Sequence, residues 1–263
     1  MNILVCIKQV PDMAARFIPN AAGTWFDESG LAWRMNDYDE FAVEEAVSLK
    51  EQLGEGANVT VLSIGPDRVV ESIRKAMAMG CDRGVHINDI HAAERDPWQI
   101  ASMIAGYAAS RQFDLIFTGM QSIDRGSAQV GVLVAERLGL ACATTVVGFL
   151  FDDGRATVER ELEGGARGFV RMALPALVTC QLGLNTPRYP TLPNIMKSRK
   201  KEITLLSPEE AGLEAPLVSG SGFAPHERSG SCTVIEGEVN DLAGRVIAVL
   251  NEKTAVLRRG GAQ

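Results

Sequence analysis

Short apolar runs alternate with amphipathic segments along the first half of the chain. The apolar runs predict strands at residues 2–7, 58–64, 83–87 and 115–118. Apolar positions at helical spacing predict helices at residues 37–53, 67–80, 98–111 and 128–138. This alternation is typical of an α/β fold in which a mostly parallel, doubly wound sheet is covered by helices on both faces.

The pattern changes after residue 144. Four β-rich runs, separated by turn residues, occupy residues 145–151, 156–161, 169–173 and 176–181. They predict an antiparallel β extension of the sheet.

A second change follows Gly183, where three prolines precede a basic run. That run contains Lys197, Arg199, Lys200 and Lys201. Residues 212–230, which are rich in Gly, Ser and Pro, are predicted to be irregular, and a helical period returns over 239–257. We therefore divide the chain into an α/β domain of residues 1–184 and a C-terminal arm of residues 185–263.

Composition and charge narrow the possible partners. The 263 residues are 46% hydrophobic and 22% charged, which excludes disorder for most of the chain. A net charge of -7 argues against a nucleic-acid partner. The apolar stretch at 173–184 is too short to cross a bilayer, so we expect no membrane insertion. Five scattered cysteines and no secretion signal before the first strand lead us to expect a cytoplasmic location.

Three predicted strand ends carry the candidate chemistry, at residues 6–12, 63–67 and 119–131. Ligands of open α/β sheets collect at the carboxyl ends of strands. In the third segment, Gly126 allows the backbone to approach a ligand closely, and Ser127 can cap the following helix or donate a hydrogen bond to a phosphate. Asp124 and Gln129 could form hydrogen bonds with a ribose or a base. The segment fits either a nucleotide site or an ordinary capped loop.

Several other site classes lack support. Neither the dinucleotide-binding nor the P-loop glycine fingerprint occurs, and the histidines follow no metal-ligand spacing. We nominate no metal site and no catalytic residue. The apolar and basic residues between Arg188 and Lys201 fit a packed arm and a docking loop equally well.

At these residues the sequence resembles the β subunits of electron transfer flavoproteins, along residues 1–210. Five blocks carry the resemblance in the family's order: VCIKQVPD (5–12), MNDYDEFAVEEAVSLKE (35–51), GMQSIDRGSAQVG (119–131), VERELEGGARGFVRMALPALVTC (158–180) and NTPRYPTLPNIMKSRKKEI (185–203). Gly168 departs from the family pattern, which usually has Glu or Gln at that position.

The resemblance implies a fold like that of the adenine nucleotide α-hydrolases and a heterodimer with an electron transfer flavoprotein α subunit. The α subunit would hold the redox FAD, and the first domain of this chain would bind a structural AMP. The implied nucleotide contacts are Cys6, Asn36, Asp37, Tyr38, Asp39, Ile64, Gly119, Met120, Gln121, Ser122, Ile123, Asp124, Arg125, Gly126, Ser127, Ala128, Gln129 and Val130.

The resemblance also implies that the arm begins with a recognition loop for partner dehydrogenases. Its leucine corresponds to Leu192, and the implied partner-binding residues are Tyr189, Leu192, Pro193, Ile195 and Met196. The expected partners are acyl-CoA dehydrogenases of fatty acid oxidation and a flavoprotein-quinone oxidoreductase. The rest of the arm would wrap around the α subunit.

Two alternatives to a carrier with bound AMP stay open. The sequence Ala128-Gln129-Val130-Gly131 is typical of electron-bifurcating family members, which hold a second FAD at this site and oxidise NADH. A stand-alone adenine-nucleotide-binding regulatory protein would explain the strand-end loops but not the recognition loop.

Overall fold

The computed structural model describes residues 1–21, 23, 25–220 and 232–254. The chain divides into two compact units, Met1–Phe223 and Ala224–Gln263. Residues 185–220 therefore belong to the same compact unit as residues 1–184. The predicted division into a nucleotide-binding domain of residues 1–184 and a C-terminal arm of residues 185–263 stays a prediction.

Eleven strands lie within the described residues. They are β1 (Asn2–Ile7), β2 (Gln9–Pro11), β3 (Trp33–Met35), β4 (Asn58–Gly65), β5 (Arg83–Asn88), β6 (Leu115–Gly119), β7 (Ala141–Asp152), β8 (Arg155–Glu161), β9 (Arg167–Ala173), β10 (Ala176–Cys180) and β11 (Ile203–Leu206). Nine of them form one sheet in the order β11-β5-β4-β1-β6-β10-β7-β8-β9, and β2 pairs with β3.

Six α-helices lie within the same residues. They are α1 (Asp37–Leu53), α2 (Val69–Met79), α3 (Pro97–Ala109), α4 (Val130–Leu138), α5 (Leu192–Ser198) and α6 (Val239–Lys253). Helix α4 begins two residues later than predicted, because Ala128 adopts a left-handed backbone conformation with φ 53°. None of the described helices is long and apolar enough to cross a membrane.

Neighbouring strands are parallel from β11 to β7, and the pairings of β7 with β8 and of β8 with β9 are antiparallel. The predicted antiparallel extension is therefore confirmed for the three runs that became β7, β8 and β9. It is wrong for the fourth run, because β10 lies between β6 and β7 and is parallel to both. All five residues of β10 are buried, as is typical of a parallel strand covered on both faces.

Each face of the sheet carries its own apolar core. Ile3, Val5 and Ile7 of β1 pack into the core on the side of α1 and α2. Leu4 and Cys6 of the same strand pack into the core on the side of α3 and α4. The alternation of side chains along a strand thus explains why nearly every residue of β1 is apolar.

The segment after β10 is fixed to α1 by charge. The Arg188 guanidinium donates to Glu44 at 2.9 Å and to Glu51 at 2.6 Å, and Asn185 donates to Glu45 at 2.9 Å. Burial acts to raise the pKa of Glu44, but the hydrogen bonds from Arg188 outweigh it, and the pKa lies below its ordinary value. Residues 185–188 are therefore held on the surface of α1, close to where α5 begins.

Residues 207–220, which we call the strap, follow β11 and run along α3. Ala211 of the strap is buried, and its carbonyl oxygen lies against Gly106 of α3. A Cβ at Gly106 would collide with that backbone oxygen. The close approach of strap and helix thus requires glycine at this position.

The second unit is described only over residues 232–254, where α6 is its one helix. The predicted helix over 239–257 is confirmed as far as Lys253, and residues 255–257 lie outside the described residues. Residues 212–220 form neither helix nor strand, as predicted. Residues 221–230, the rest of the predicted irregular segment, also lie outside the described residues.

We expect Gly106→Ala to lower the free energy of unfolding by about 2 kcal/mol, because the added methyl must displace backbone atoms of the strap. Urea unfolding measures the loss, and limited proteolysis shows whether residues 207–220 become accessible. Gly244→Ala in α6 is the control, since a Cβ there meets open space. Equal stability of the two variants would contradict the packing argument.

Candidate functional site

A cleft of about 500 Å³ opens at the carboxyl ends of β1, β4 and β6. Strand β1 lies between the other two, and the chain continues from β1 to one side and later returns to the other. This position is the topological switch point of the sheet, where crossover connections on opposite faces leave a crevice. The order of the strands in the sheet therefore creates the cleft.

Most of the predicted nucleotide contacts line this cleft. They are Cys6, Asn36, Asp39, Ile64, Gly119, Met120, Gln121, Ser122, Asp124, Arg125, Ser127, Ala128, Gln129 and Val130. Their contact with a nucleotide stays a prediction, but four separate parts of the sequence do meet in one place.

Four predicted contacts lie outside the cleft lining. Asp37 forms an ion pair with Arg34, and the Tyr38 hydroxyl accepts a hydrogen bond from Gln121 at 3.2 Å. The Ile123 amide donates to Asn36 at 3.0 Å, and Gly126 forms a turn with φ 62°. In this structure Tyr38, Ile123 and Gly126 shape the loop between β6 and α4, whereas Asp37 pairs with β3.

Asn36 holds that loop with both ends of its side-chain amide. Its Nδ2 donates to the Gln121 carbonyl oxygen at 2.9 Å, and its Oδ1 accepts from the Ile123 amide at 3.0 Å. The side chain therefore pairs with the loop as a neighbouring backbone strand would. Because Asn36 is buried at the start of α1, the loop is fixed to a rigid element.

Lys8 carries a positive charge at the base of the cleft. Its Nζ lies 2.7 and 2.8 Å from the two carboxylate oxygens of Asp124 and 3.3 Å from the Ser122 hydroxyl. Burial lowers the pKa of Lys8, while Asp124 acts in the opposite direction. The ion pair joins the end of β1 to the loop after β6 and neutralises Asp124 beside the cleft.

Asp39 joins the same two strand ends through the backbone. Its carboxylate accepts from the Lys8 amide at 2.6 Å and from the Gly119 amide at 3.1 Å. Burial raises the pKa of Asp39 to about 7, although these hydrogen bonds lower it. A Cβ at Gly119 would collide with the carboxylate, so this contact also requires glycine.

Three side chains that the sequence did not single out, Trp25, Trp33 and Arg68, form another wall of the cleft together with the predicted contact Arg125. The Arg125 guanidinium lies over the Trp25 ring at 4.0 Å, and Arg68 lies over Trp33 at 3.8 Å. Arg68 also pairs with Glu28 at 3.0 Å. The tryptophans follow β2 in a segment without hydrophobic periodicity, so only their aromatic character could have marked them.

The donor groups of the cleft suit an anionic, polar ligand. The first-turn N–H groups of α4 have no acceptor within the helix, and Ala128 with φ 53° precedes them. Two further polar atoms of the wall, Gln9 Oε1 and Arg68 Nε, are buried without a hydrogen-bond partner among the described residues. Polar ligand atoms would satisfy such groups.

The predicted docking segment, residues 189–196, presents apolar side chains to solvent. Tyr189 is 95% exposed, Leu192 72% and Met196 53%, while Ile195 is half-buried. Thr191 caps α5 with its hydroxyl, and α5 packs on α2. The segment was predicted from the resemblance as a loop, and the structure shows that it contains one short helix.

These features define an α/β protein with a ligand cleft at the switch point of a parallel sheet. A family described as the electron transfer flavoprotein domain matches residues 23–211. The chain belongs to this family.

Curated relatives cover nearly the whole chain. The electron transfer flavoprotein subunit beta of Bacillus subtilis is 34% identical over 98% of this chain and 100% of its own length. The human subunit beta is 38% identical over 81% of this chain and 84% of its own. The caffeyl-CoA reductase-Etf complex subunit CarD of Acetobacterium woodii is 35% identical over 96% and 99%. These relatives support an electron-transport role as the beta subunit of an electron transfer flavoprotein.

We expect Asn36→Ala to accelerate amide hydrogen exchange in the loop about tenfold or more, above all at Ile123. The variant removes two buried hydrogen bonds, each of which contributes about 1 kcal/mol. Exchange followed by mass spectrometry on peptides from residues 119–127 measures the effect. Asn2→Ala, at the exposed amino end of β1, is the matched control. Unchanged exchange at Ile123 would show that Asn36 does not hold the loop.

Proposed function

We propose that the chain pairs with an electron transfer flavoprotein α subunit and binds a structural AMP in the cleft at the switch point. The α subunit holds the redox FAD, and the heterodimer carries electrons from acyl-CoA dehydrogenases to a flavoprotein-quinone oxidoreductase. The chain itself makes and breaks no bonds. It acts by binding, positioning and docking.

One observation carries the nucleotide assignment. The loop between β6 and α4 borders a cleft of about 500 Å³ at the switch point and is fixed there by Asn36 and Lys8. A loop that is held by the buried Asn36 and the partly buried Lys8 can present its N–H groups in one arrangement, which lowers the entropic cost of binding a ligand. An ordinary connection between a strand and a helix needs no such support.

The charges of the cleft fit a phosphate that is bound mainly by backbone groups. Three of the four cations that line the cleft pair with a carboxylate, as Lys8 pairs with Asp124, Arg68 with Glu28 and Arg95 with Asp89. The fourth, Arg125, lies over the Trp25 ring and donates to the Ala93 carbonyl oxygen. The free N–H groups at the start of α4 remain, and helix N-termini favour anions. The polar side chains Ser127 and Gln129 line the same end of the cleft.

The exposed docking segment supports recognition of partner dehydrogenases. Leu192 is 72% exposed on a segment that Arg188 and the capped α5 hold in place. A large apolar side chain on a rigid support is a suitable anchor for an apolar pocket on a partner. Burial of one such anchor permits binding that is specific and still reversible.

A second candidate function is electron bifurcation, in which the cleft would hold a second FAD and the complex would oxidise NADH. The loop sequence around Ala128 favours it, as does similarity to the CarD subunit of a caffeyl-CoA reductase-Etf complex. The aromatic wall of Trp25 and Trp33 offers surface for a second planar ring. AMP remains our first proposal.

We expect acid treatment of the co-expressed heterodimer to release one FAD and one AMP per complex, as measured by mass spectrometry. Two FAD with no AMP would instead support the bifurcating function, and NADH oxidation by the complex would test it directly. Release of a single flavin without any other adenine nucleotide would overturn both assignments of the cleft.

We expect Leu192→Ala to lower kcat/KM for electron transfer from an acyl-CoA dehydrogenase about tenfold or more, because the apolar anchor is lost. Flavin and nucleotide content should stay unchanged. Stopped-flow reduction of the heterodimer by the reduced dehydrogenase measures the rate. Leu205→Ala is the control, since Leu205 is a comparably exposed leucine on β11. Wild-type rates for the Leu192 variant would refute docking through this residue.

A further inference from the structure

The strap, residues 207–220, ends at the rim of the cleft. Val218 and Gly220 line the cleft together with Asp96 and Pro97 from the start of α3. The strap therefore forms part of the boundary of the cleft.

Asp96 uses both carboxylate oxygens to join the strap to α3. Its Oδ1 accepts from the Gln99 amide at 2.8 Å, which caps the helix. Its Oδ2 accepts from the amides of Leu217 and Val218 at 2.7 and 2.8 Å. Burial raises the pKa of Asp96, but these hydrogen bonds lower it below its ordinary value, so the accepting form prevails at neutral pH.

A second attachment holds the strap farther from the cleft. The Glu214 carboxylate pairs with Arg137, its amide donates to the Ser102 hydroxyl at 3.2 Å, and its carbonyl accepts from Gln99 at 3.1 Å. Glu214 does not line the cleft. The two attachments can therefore be tested separately.

Apolar packing contributes little to the end of the strap at the cleft. The side chains of Leu217 and Val218 are 70% and 68% exposed. Within the described residues, the hydrogen bonds to Asp96 are the specific contacts of these two residues with α3. Loss of the carboxylate acceptor would thus release this end of the strap while Ala211 stays buried.

We propose that Asp96 is a positioning residue that latches the strap over the rim of the cleft and so sets how fast a bound nucleotide leaves. This inference rests on the proposed function, in which the cleft holds AMP or FAD. In this role Asp96, although it lines the cleft, acts by holding the strap.

The substitution Asp96→Asn separates the latch from the helix cap. Asparagine keeps an oxygen that can accept from Gln99 and is a good N-cap residue. Its amide group is a donor and cannot accept from Leu217 and Val218. The variant should therefore fold with α3 intact and with the strap released at the cleft.

The experiment loads the co-expressed heterodimer with radiolabelled AMP, or with radiolabelled FAD where acid releases two flavins, and follows its loss in excess unlabelled nucleotide. We expect Asp96→Asn to accelerate release about tenfold. Hydrogen exchange at Leu217 and Val218 should rise in the same variant. Glu214→Gln, which weakens the remote attachment, should release nucleotide at the wild-type rate.

The outcomes separate the two proposals. Faster exchange at Leu217 and Val218 with unchanged nucleotide release would refute the latch and leave the proposed function intact. Equal acceleration by Glu214→Gln would also refute it, because the effect would then reflect general loosening of the strap. A wild-type complex that yields no nucleotide from the cleft would overturn the proposed function itself.

Discussion

The cleft depends on the complete burial of β1 between β4 and β6. A strand that is covered on both faces favours apolar side chains, as Ile3, Leu4 and Val5 illustrate. Polar chemistry is then confined to the point where the strand ends, at Lys8. Strands β4 and β6 flank β1 in parallel, so the polar groups that follow the three strands meet at one edge of the sheet.

The edge is made rigid by side chains that replace missing backbone partners. Beyond Ile7 and Gly119 the strands separate, and their amides lose the regular ladder. Asp39 restores acceptors to the amides of Lys8 and Gly119, and Asn36 does so for the loop that follows β6. Both come from the start of α1, so a single helix N-terminus organises two strand ends. The cost of burying the Asp39 carboxylate is offset by these hydrogen bonds.

Local patterns predicted the elements better than their pairing. The bounds of β1 and α1 follow directly from apolar periodicity and from the terminating Gly54. The place of β10 does not, since an apolar run of five residues fits any buried strand and its partners are distant in sequence. Short α5 carried a usable signal, because Thr191 is a capping residue and Pro193 suits a first helical turn.

The site was predictable in outline and not in detail, for a related reason. Strand-end loops such as residues 119–131 are recognisable because glycine and polar residues follow a buried run. Trp25 reaches the cleft from a segment without periodicity and Arg68 from the start of α2, and only the tertiary fold brings them together with Arg125 and Trp33. The role of Asn36 likewise depends on contacts with residues more than 80 positions away in the sequence. The role of Asp39 depends on its contacts with two strand ends.

The docking segment and the cleft are supported by different faces of the same helix, α1. Asn36 and Asp39 at its beginning face the cleft, whereas Glu44 and Glu51 farther along hold Arg188 and the segment that leads to α5. A rigid connection of this kind reduces the conformational freedom that docking must remove, since only exposed side chains such as Leu192 are left to be ordered. Under the proposed docking role, an interface built this way can be small and exchange rapidly while it keeps its geometry.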